Sequence, residues 1–201
     1  MEATNYVIVK LSNPYNNEKF FGSNGDSIII NSTIESVEHI NREATVLAAP
    51  SYTILKKGDK VIAHHNIFRK KRNYKGVLTE SDYQIEEDVY YIPLSEIFLY
   101  KPFLKRSWKS IDPYIFVEPI LLDESNSLLL GVKTNHKGRE HKIGKVVYLN
   151  KELERKGLSV GDKVAFKRNS EYEFNIDGKL TYRMKTKDIL LKLNIWEDFI
   201  T

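Results

Sequence analysis

The five residues Lys57-Gly58-Asp59-Lys60-Val61 return 103 positions later as Val160-Gly161-Asp162-Lys163-Val164. Each group follows a short apolar segment and precedes an apolar run. Glycine accepts a positive φ and aspartate hydrogen-bonds nearby amides, so this pattern predicts a tight turn that feeds a buried strand. Because the turn occurs twice, an internal repeat has to be tested before a single domain is assumed.

Other segments recur around the two turns in the same order. The matching pairs are Tyr6–Lys10 with Tyr114–Glu118, Glu43–Leu47 with Ile143–Val147, and Tyr91–Leu99 with Tyr182–Leu190. The spacing of the last pair is shorter by about eleven residues, which predicts an insertion in the first copy, as a long hairpin loop beginning at Arg69. The sequence therefore predicts two domains, 1–104 and 112–201, with residues 101–111 read as a linker between them.

Short runs rich in Val, Ile, Tyr and Phe, bounded by Gly, Asp, Asn and Lys, occur throughout the chain. Such runs are typical of strands. Helical periodicity is almost absent, and its nearest case is the segment 150–156, which ends at Gly157. An all-β fold is the prediction.

Composition excludes several classes of protein. No stretch approaches the roughly 18 apolar residues of a membrane span. The chain has no cysteine, which excludes disulfides, and it starts without a secretory signal, so we expect a cytoplasmic protein. Lys and Arg number 31 against 27 Asp and Glu, spread along the chain, and this balance does not by itself indicate nucleic-acid binding.

The order of the segments resembles the GroES-type co-chaperonin family in both halves. In the second half the resemblance runs from Leu158–Phe166 through Asn175–Lys179 to Met184 and Asp188–Leu190. In the first half Tyr6–Lys10 is similar to the opening strand of the family, and Gln84–Val89 with Ser95–Ile97 to its closing segment. The resemblance implies two tandem GroES-like, partly open β-barrels, subunits in a homo-oligomeric ring, and a loop that docks on an ATP-driven chaperonin.

In that family the docking loop lies between the first two strands and ends in an aliphatic run. By resemblance, the chaperonin-binding residues are expected to be Ile28, Ile29 and Ile30 in the first unit and Leu128, Leu129 and Leu130 in the second, each after a polar, turn-rich segment. Each aliphatic side chain that becomes fully buried contributes roughly 1.5–3 kcal/mol before ordering costs. Both triplets could equally be core strands of their own barrels.

A basic cluster and several histidines were weighed as further sites. Arg69, Lys70, Lys71 and Arg72 could contact phosphate, although a solvated hairpin tip is the alternative. His64 and His65 are adjacent, so on a strand they would face opposite sides and share no metal. His136 and His141 lie in a lysine-rich stretch. We find no nucleophile elbow and no phosphate-binding glycine loop, and we expect no enzyme activity, no metal and no cofactor.

Two functions remain open at this point. The first is a co-chaperonin that caps an ATP-loaded chaperonin and assists protein folding, with nucleotide bound by the partner. The alternative is a ring-forming structural protein, for example of a phage virion, that keeps the fold without chaperonin binding. Neither a membrane nor a nucleic acid is an expected partner, although a weaker third idea is nucleic-acid binding through the loop at 69–75.

Overall fold

Strands make up most of the regular structure of the chain. The computed structural model describes residues 3–11, 13, 15, 16, 18–21, 26–29, 39–105, 107–121 and 139–193. Within these ranges there is one α-helix, and no helix is long and apolar enough to cross a membrane. The predicted all-β class is confirmed.

The chain divides into two compact units, Met1–Trp108 and Lys109–Thr201. The described strands of the first unit are β1 (Val7–Lys10), β2 (Glu18–Phe21), β3 (Asp26–Ile29), β4 (Glu43–Ala48), β5 (Lys60–Ala63), β6 (Lys71–Arg72), β7 (Leu78–Thr79), β8 (Gln84–Glu86), β9 (Val89–Ile92) and β10 (Ile97–Lys101). Those of the second are β11 (Lys109–Ser110), β12 (Tyr114–Leu121), β13 (Arg139–Tyr148), β14 (Lys163–Phe166), β15 (Tyr172–Ile176), β16 (Lys179–Lys185) and β17 (Ile189–Leu193), with α1 (Lys151–Arg155) between β13 and β14.

The large sheet of each unit has the same order of strands. In the first unit β10, β5, β4, β1, β9 and β8 lie side by side in this order, and in the second unit β17, β14, β13, β12, β16 and β15 do. Neighbours within each series are antiparallel. Neither sheet closes on itself within the described residues, so the barrel shape stays a prediction.

The pairing of β1 with β4 and that of β12 with β13 are irregular at equivalent positions. The register of β1 against β4 shifts between Ile8 and Val9, and that of β12 against β13 shifts between Phe116 and Val117. An extra residue on one strand of an antiparallel pair bends it and increases its twist. Both sheets therefore receive the same local distortion next to their central strand.

The pairing of β1 with β9 and of β12 with β16 corrects one detail of the sequence comparison. Ile8 lies opposite Tyr91, and Phe116 lies opposite Arg183. This pairing matches Tyr91 with Arg183, whereas the sequence comparison matches it with Tyr182. The cross-strand register determines which residues of the two units are equivalent, and similarity of residue type along the chain cannot show this register.

The glycine turn forms in both units as predicted. Gly58 and Gly161 have φ values of +91° and +96°, which side chains with a Cβ rarely adopt. The amide of Gly58 donates to the carbonyl of Val46 at 2.8 Å, and that of Gly161 donates to the carbonyl of Val146 at 2.8 Å. Each turn is thereby joined to the preceding strand of its sheet.

The aspartate that follows each glycine accepts backbone hydrogen bonds. Asp59, only 5% exposed, accepts from the amide of Lys56 at 2.9 Å and from that of Phe103 at 3.0 Å. Asp162 accepts from the amide of Ser159 at 2.8 Å. A carboxylate is an efficient acceptor for such orphan amides, so it holds the turn closed.

A buried asparagine connects α1 to the sheet of the second unit. The Oδ1 atom of Asn150 accepts from the amide of Leu153, which caps the helix, and its Nδ2 atom donates to the carbonyl of Tyr114 at 2.8 Å and to Oγ1 of Thr186 at 2.7 Å. Leu153 is then held in an apolar core formed by Ile115, Val117, Val146, Leu153, Leu158, Val164, Phe166 and Met184. The segment 150–156, which is the nearest case of helical periodicity in the sequence, contains this helix.

The insertion and the expected linker both contain ordered structure. From Arg69 onward the chain forms a hairpin in which Lys71 pairs with Thr79, as the insertion predicts. Within the expected linker at 101–111, Trp108 is 5% exposed, and the Nζ atom of Lys101 lies 4.4 Å from the centre of its ring. The described part of this segment is therefore more than a spacer, because it buries a large side chain.

Replacing Asp59 by Ala should destabilise the chain by about 1.5–3 kcal/mol, because two part-buried amides would lose a charged acceptor. Urea unfolding followed by tryptophan fluorescence measures the effect. Glu86→Ala removes the same charge from an exposed position of β8 and should change the free energy of unfolding by less than about 0.5 kcal/mol. Equal effects for the two variants would contradict the role given to Asp59.

Candidate partner-binding segments

A separate hairpin lies between β1 and β4, the first two strands of the large sheet in chain order. It consists of β2 and β3, which form a two-stranded sheet of their own among the described residues, with Lys19 opposite Ile28. A two-stranded hairpin is marginally stable without a third strand or a covering element. The sequence inserts this hairpin where the resemblance implies a docking loop.

The base of this segment is attached to the first unit at both ends. Leu11 is fully buried, and its amide donates to the carbonyl of Asp88 at 2.8 Å. Farther along, Tyr15 forms an isolated bridge with Ile40, which is 4% exposed. Buried Leu11 and buried Ile40 thus attach the chain to the first unit on either side of the hairpin.

The two described members of the first aliphatic triplet lie in β3. Ile28 is 59% exposed, so it is not a core residue, and Ile29 lies opposite Glu18 in the hairpin. Ile30 lies outside the described residues. An exposed isoleucine retains most of its apolar surface for a partner.

The second aliphatic triplet, Leu128, Leu129 and Leu130, lies outside the described residues. Its place in the chain is defined nonetheless, because it falls between β12 and β13. These strands hold the same places in their sheet as β1 and β4 do in theirs. Both triplets thus follow the first sheet strand of their unit and precede the second.

The basic cluster lies at the start of the β6–β7 hairpin, where carboxylates oppose it. The Nζ atom of Lys70 lies 2.9 Å from Oε1 of Glu80, and Lys71 forms an ion pair with Asp82. This contact with Glu80 raises the pKa of Lys70. Exposed ion pairs of this kind contribute roughly 0–1 kcal/mol, so a phosphate could displace the carboxylates but would have to compete with them.

The tip of this hairpin is organised by local hydrogen bonds. Arg72 donates from Nη1 to the carbonyl of Gly76 at 3.0 Å, and the side-chain oxygen of Asn73 accepts from the amides of Lys75 and Val77 at 2.9 and 3.0 Å. Arg69 is half-buried. The structure brings Arg69, Lys70, Lys71 and Arg72 together on one hairpin, with carboxylate partners for two of them.

The histidine pair is arranged differently from the sequence interpretation. His64 and His65 do not alternate on a strand. They open a 3-10 turn, with Nδ1 of His64 accepting from the amide of Asn66 at 3.1 Å, and their rings stack at 4.3 Å. Among the described residues, no group of three or more His, Cys, Asp or Glu side chains could hold a metal ion.

Sequence reasoning overlooked two surfaces of the second unit. One is the exposed pair Leu190 and Leu191 on β17. The other is basic and contains Arg183 and Lys185 at the end of β16 and Lys187 in the 3-10 turn that follows. The exposure of the leucine pair was not visible without knowing that β17 ends its sheet.

No family model matches this chain, and no curated protein matches it.

Ile28→Ala should leave the free energy of unfolding within about 0.5 kcal/mol of the parent, because the side chain is exposed. Ile40→Ala, the same change at the buried base of the segment, should cost about 2–5 kcal/mol. Urea unfolding of both variants checks the pair. A large loss for Ile28→Ala would show that β3 packs in a core.

Acid should destabilise the first unit because His65 is buried in its neutral form. Burial, aided by His64, Arg42 and Arg69, lowers the pKa of His65 to about 4 from an ordinary value of 6.5. Between these values the unfolded chain binds the extra proton, so stability falls as pH drops from about 6.5 towards 4. The unfolding temperature of His65→Gln should fall less than that of the parent over this window, and parallel curves would contradict the assignment.

Proposed function

We propose that this chain is a co-chaperonin built from two GroES-like units, which caps an ATP-loaded chaperonin ring and assists protein folding. The observation that carries the proposal is the exposed Ile28 on a hairpin outside the large sheet. The hairpin occupies the chain position at which the resemblance implies a docking loop. Nucleotide is bound by the partner in this proposal, and the chain itself acts by binding.

The same order of strands in the two sheets supports the idea of two copies of one unit. The turns at Gly58 and Gly161 make equivalent hydrogen bonds, and the register shifts at equivalent steps. If each unit is a partly open barrel, each presents one segment between its first two sheet strands. Two segments per chain would bind a multivalent rim with avidity far above the affinity of either one.

Weak apolar contacts suit a protein that must bind and release its partner in every ATP cycle. One buried isoleucine contributes roughly 1.5–3 kcal/mol, and ordering a hairpin on binding takes back a part of this. Each contact is therefore weak and releasable, while several contacts on a ring hold together. A cap that must leave at every ATP cycle needs this combination.

The proposed homo-oligomeric ring is supported by an edge of the second sheet. Leu191 lies opposite Ala165 in the register in which Leu99 lies opposite Ile62. Leu99 is fully buried, whereas Leu191 is 50% exposed. The preceding residue behaves in the same way, since Leu190 is 57% exposed and its counterpart Phe98 is 1% exposed. A second copy of the chain that covers β17 would bury these side chains, and a structural ring without chaperonin binding would use the same edge.

Co-sedimentation with the chaperonin of the host, with and without ATP, tests the function. The parent should bind only with ATP, and Ile28→Ser should bind at least about tenfold more weakly, which corresponds to a loss of at least about 1.4 kcal/mol of the total binding free energy. Ile85→Ser is a matched control, because Ile85 is 51% exposed on β8 of the same unit, and it should bind like the parent.

Results that contradict these expectations distinguish the co-chaperonin from the structural protein. Rings that form without any ATP-dependent binding would favour the structural protein. Equal losses for Ile28→Ser and Ile85→Ser would remove the special role of the hairpin.

A further inference from the structure

The second unit contains a surface pocket of about 340 Å³ whose lining is strongly basic. It lies between the loop after β14 and the turn that follows β16. Five cationic side chains and one carboxylate are among its lining residues, namely Lys167, Arg168, Arg183, Lys185, Lys187 and Asp188. Pockets of roughly 300–1,000 Å³ are the usual size for small ligands.

Arg183 is held in place by two aromatic rings. Its guanidinium carbon lies 5.2 Å from the centre of the Tyr114 ring and 5.0 Å from that of the Tyr172 ring. Tyr114 is 8% exposed, and Arg183 pairs with Tyr172 in the sheet. Stacking of this kind orients the planar guanidinium and lowers the entropy that a bound anion would cost.

Backbone hydrogen bonds join the two segments that carry the other cations. The amide of Lys167 donates to the carbonyl of Asp188 at 2.9 Å, and the Oγ of Ser170 donates to the carbonyl of Lys167 at 2.7 Å. The carboxylate of Asp188 accepts from the amide of Lys185 at 3.3 Å. The single acid of the pocket is thus engaged with the backbone of the turn.

The first unit has the same framework without cations at the corresponding positions, although Arg42 and Arg69 lie near enough to act on His65. There the amide of His64 donates to the carbonyl of Glu96 at 2.9 Å, as Lys167 does to Asp188. At the positions that correspond to Arg168 and Arg183 stand His65 and Tyr91. Since the pKa of His65 is lowered to about 4, it is uncharged at neutral pH. The basic pocket is therefore a property of the second unit and not of the shared strand order.

We propose that this pocket binds a chain of linked phosphates, such as an oligophosphate or the triphosphate of a nucleotide. Linked phosphates carry several negative charges at a short spacing, which suits five cations around one cavity. The fork of Arg183 matches two phosphate oxygens, and the lysines supply point charges around it. This site is separate from the proposed chaperonin docking and does not depend on it.

Calorimetric titration of the full chain with inorganic triphosphate at about 50 mM salt tests the proposal, since low salt preserves surface electrostatics. The double variant Lys167→Glu and Lys187→Glu should bind at least about tenfold more weakly. Both side chains are exposed, so the fold should tolerate the change. The double variant Lys151→Glu and Lys179→Glu makes the same charge change at exposed positions that do not line the pocket, and it should lose less than about threefold.

A second titration with ATP identifies the source of the phosphates. Equal affinity for ATP and inorganic triphosphate would show that the phosphate chain alone is recognised, and at least tenfold tighter binding of ATP would show a nucleotide site; both support the pocket. Arg183→Lys should weaken binding several-fold although it keeps the charge, because the fork is lost. Absence of binding by the parent, or equal losses for the two double variants, would overturn the proposal.

Discussion

The hydrogen bond from the amide of Gly58 to the carbonyl of Val46 fixes the first sheet, and its counterpart at Gly161 fixes the second. Because the chain folds back there, the strand after the turn must pair with the strand before it, in one register. A register slip of one residue would turn every core side chain of the strand outward. Asp59 closes the turn with its own backbone contacts. The turn thereby sets the register of β4 against β5, in which buried Ala44 lies opposite buried Val61.

The sheet order then determines where a partner can be reached. In the first unit β1 lies inside its sheet, between β4 and β9, and in the second unit β12 lies between β13 and β16. Within the described residues, the chain between β1 and β4 contributes no strand to the large sheet. In the first unit this segment contains β2 and β3 with the exposed Ile28, and the corresponding segment of the sequence in the second unit contains Leu128–Leu130. The proposed function rests on this consequence of topology and on the resemblance, while the phosphate pocket rests on charges that only the second unit carries.

Local signals in the sequence predicted the parts of the fold that local chemistry determines. The Gly58 turn and the strand class follow from residue types at short range. The match of Tyr91 with Tyr182 was one residue off because cross-strand register is a tertiary property. The interpretation of His64 and His65 as part of a strand was wrong for a similar reason, because a 3-10 turn follows β5. Exposure was beyond prediction altogether: Phe98 and Leu190 are both apolar residues in equivalent strands, and only the assembled sheet shows that one is covered.

Hydrogen exchange of the full chain, measured alone and bound to the host chaperonin with ATP, tests the central claim most directly. Exchange reports the protection of individual segments and needs no substitution. The account predicts new protection in the segments between β1 and β4 and between β12 and β13, with little change in the β6–β7 hairpin. Protection confined to other parts of the chain, or none at all on addition of ATP-loaded chaperonin, would contradict the claim that these two segments dock on a partner.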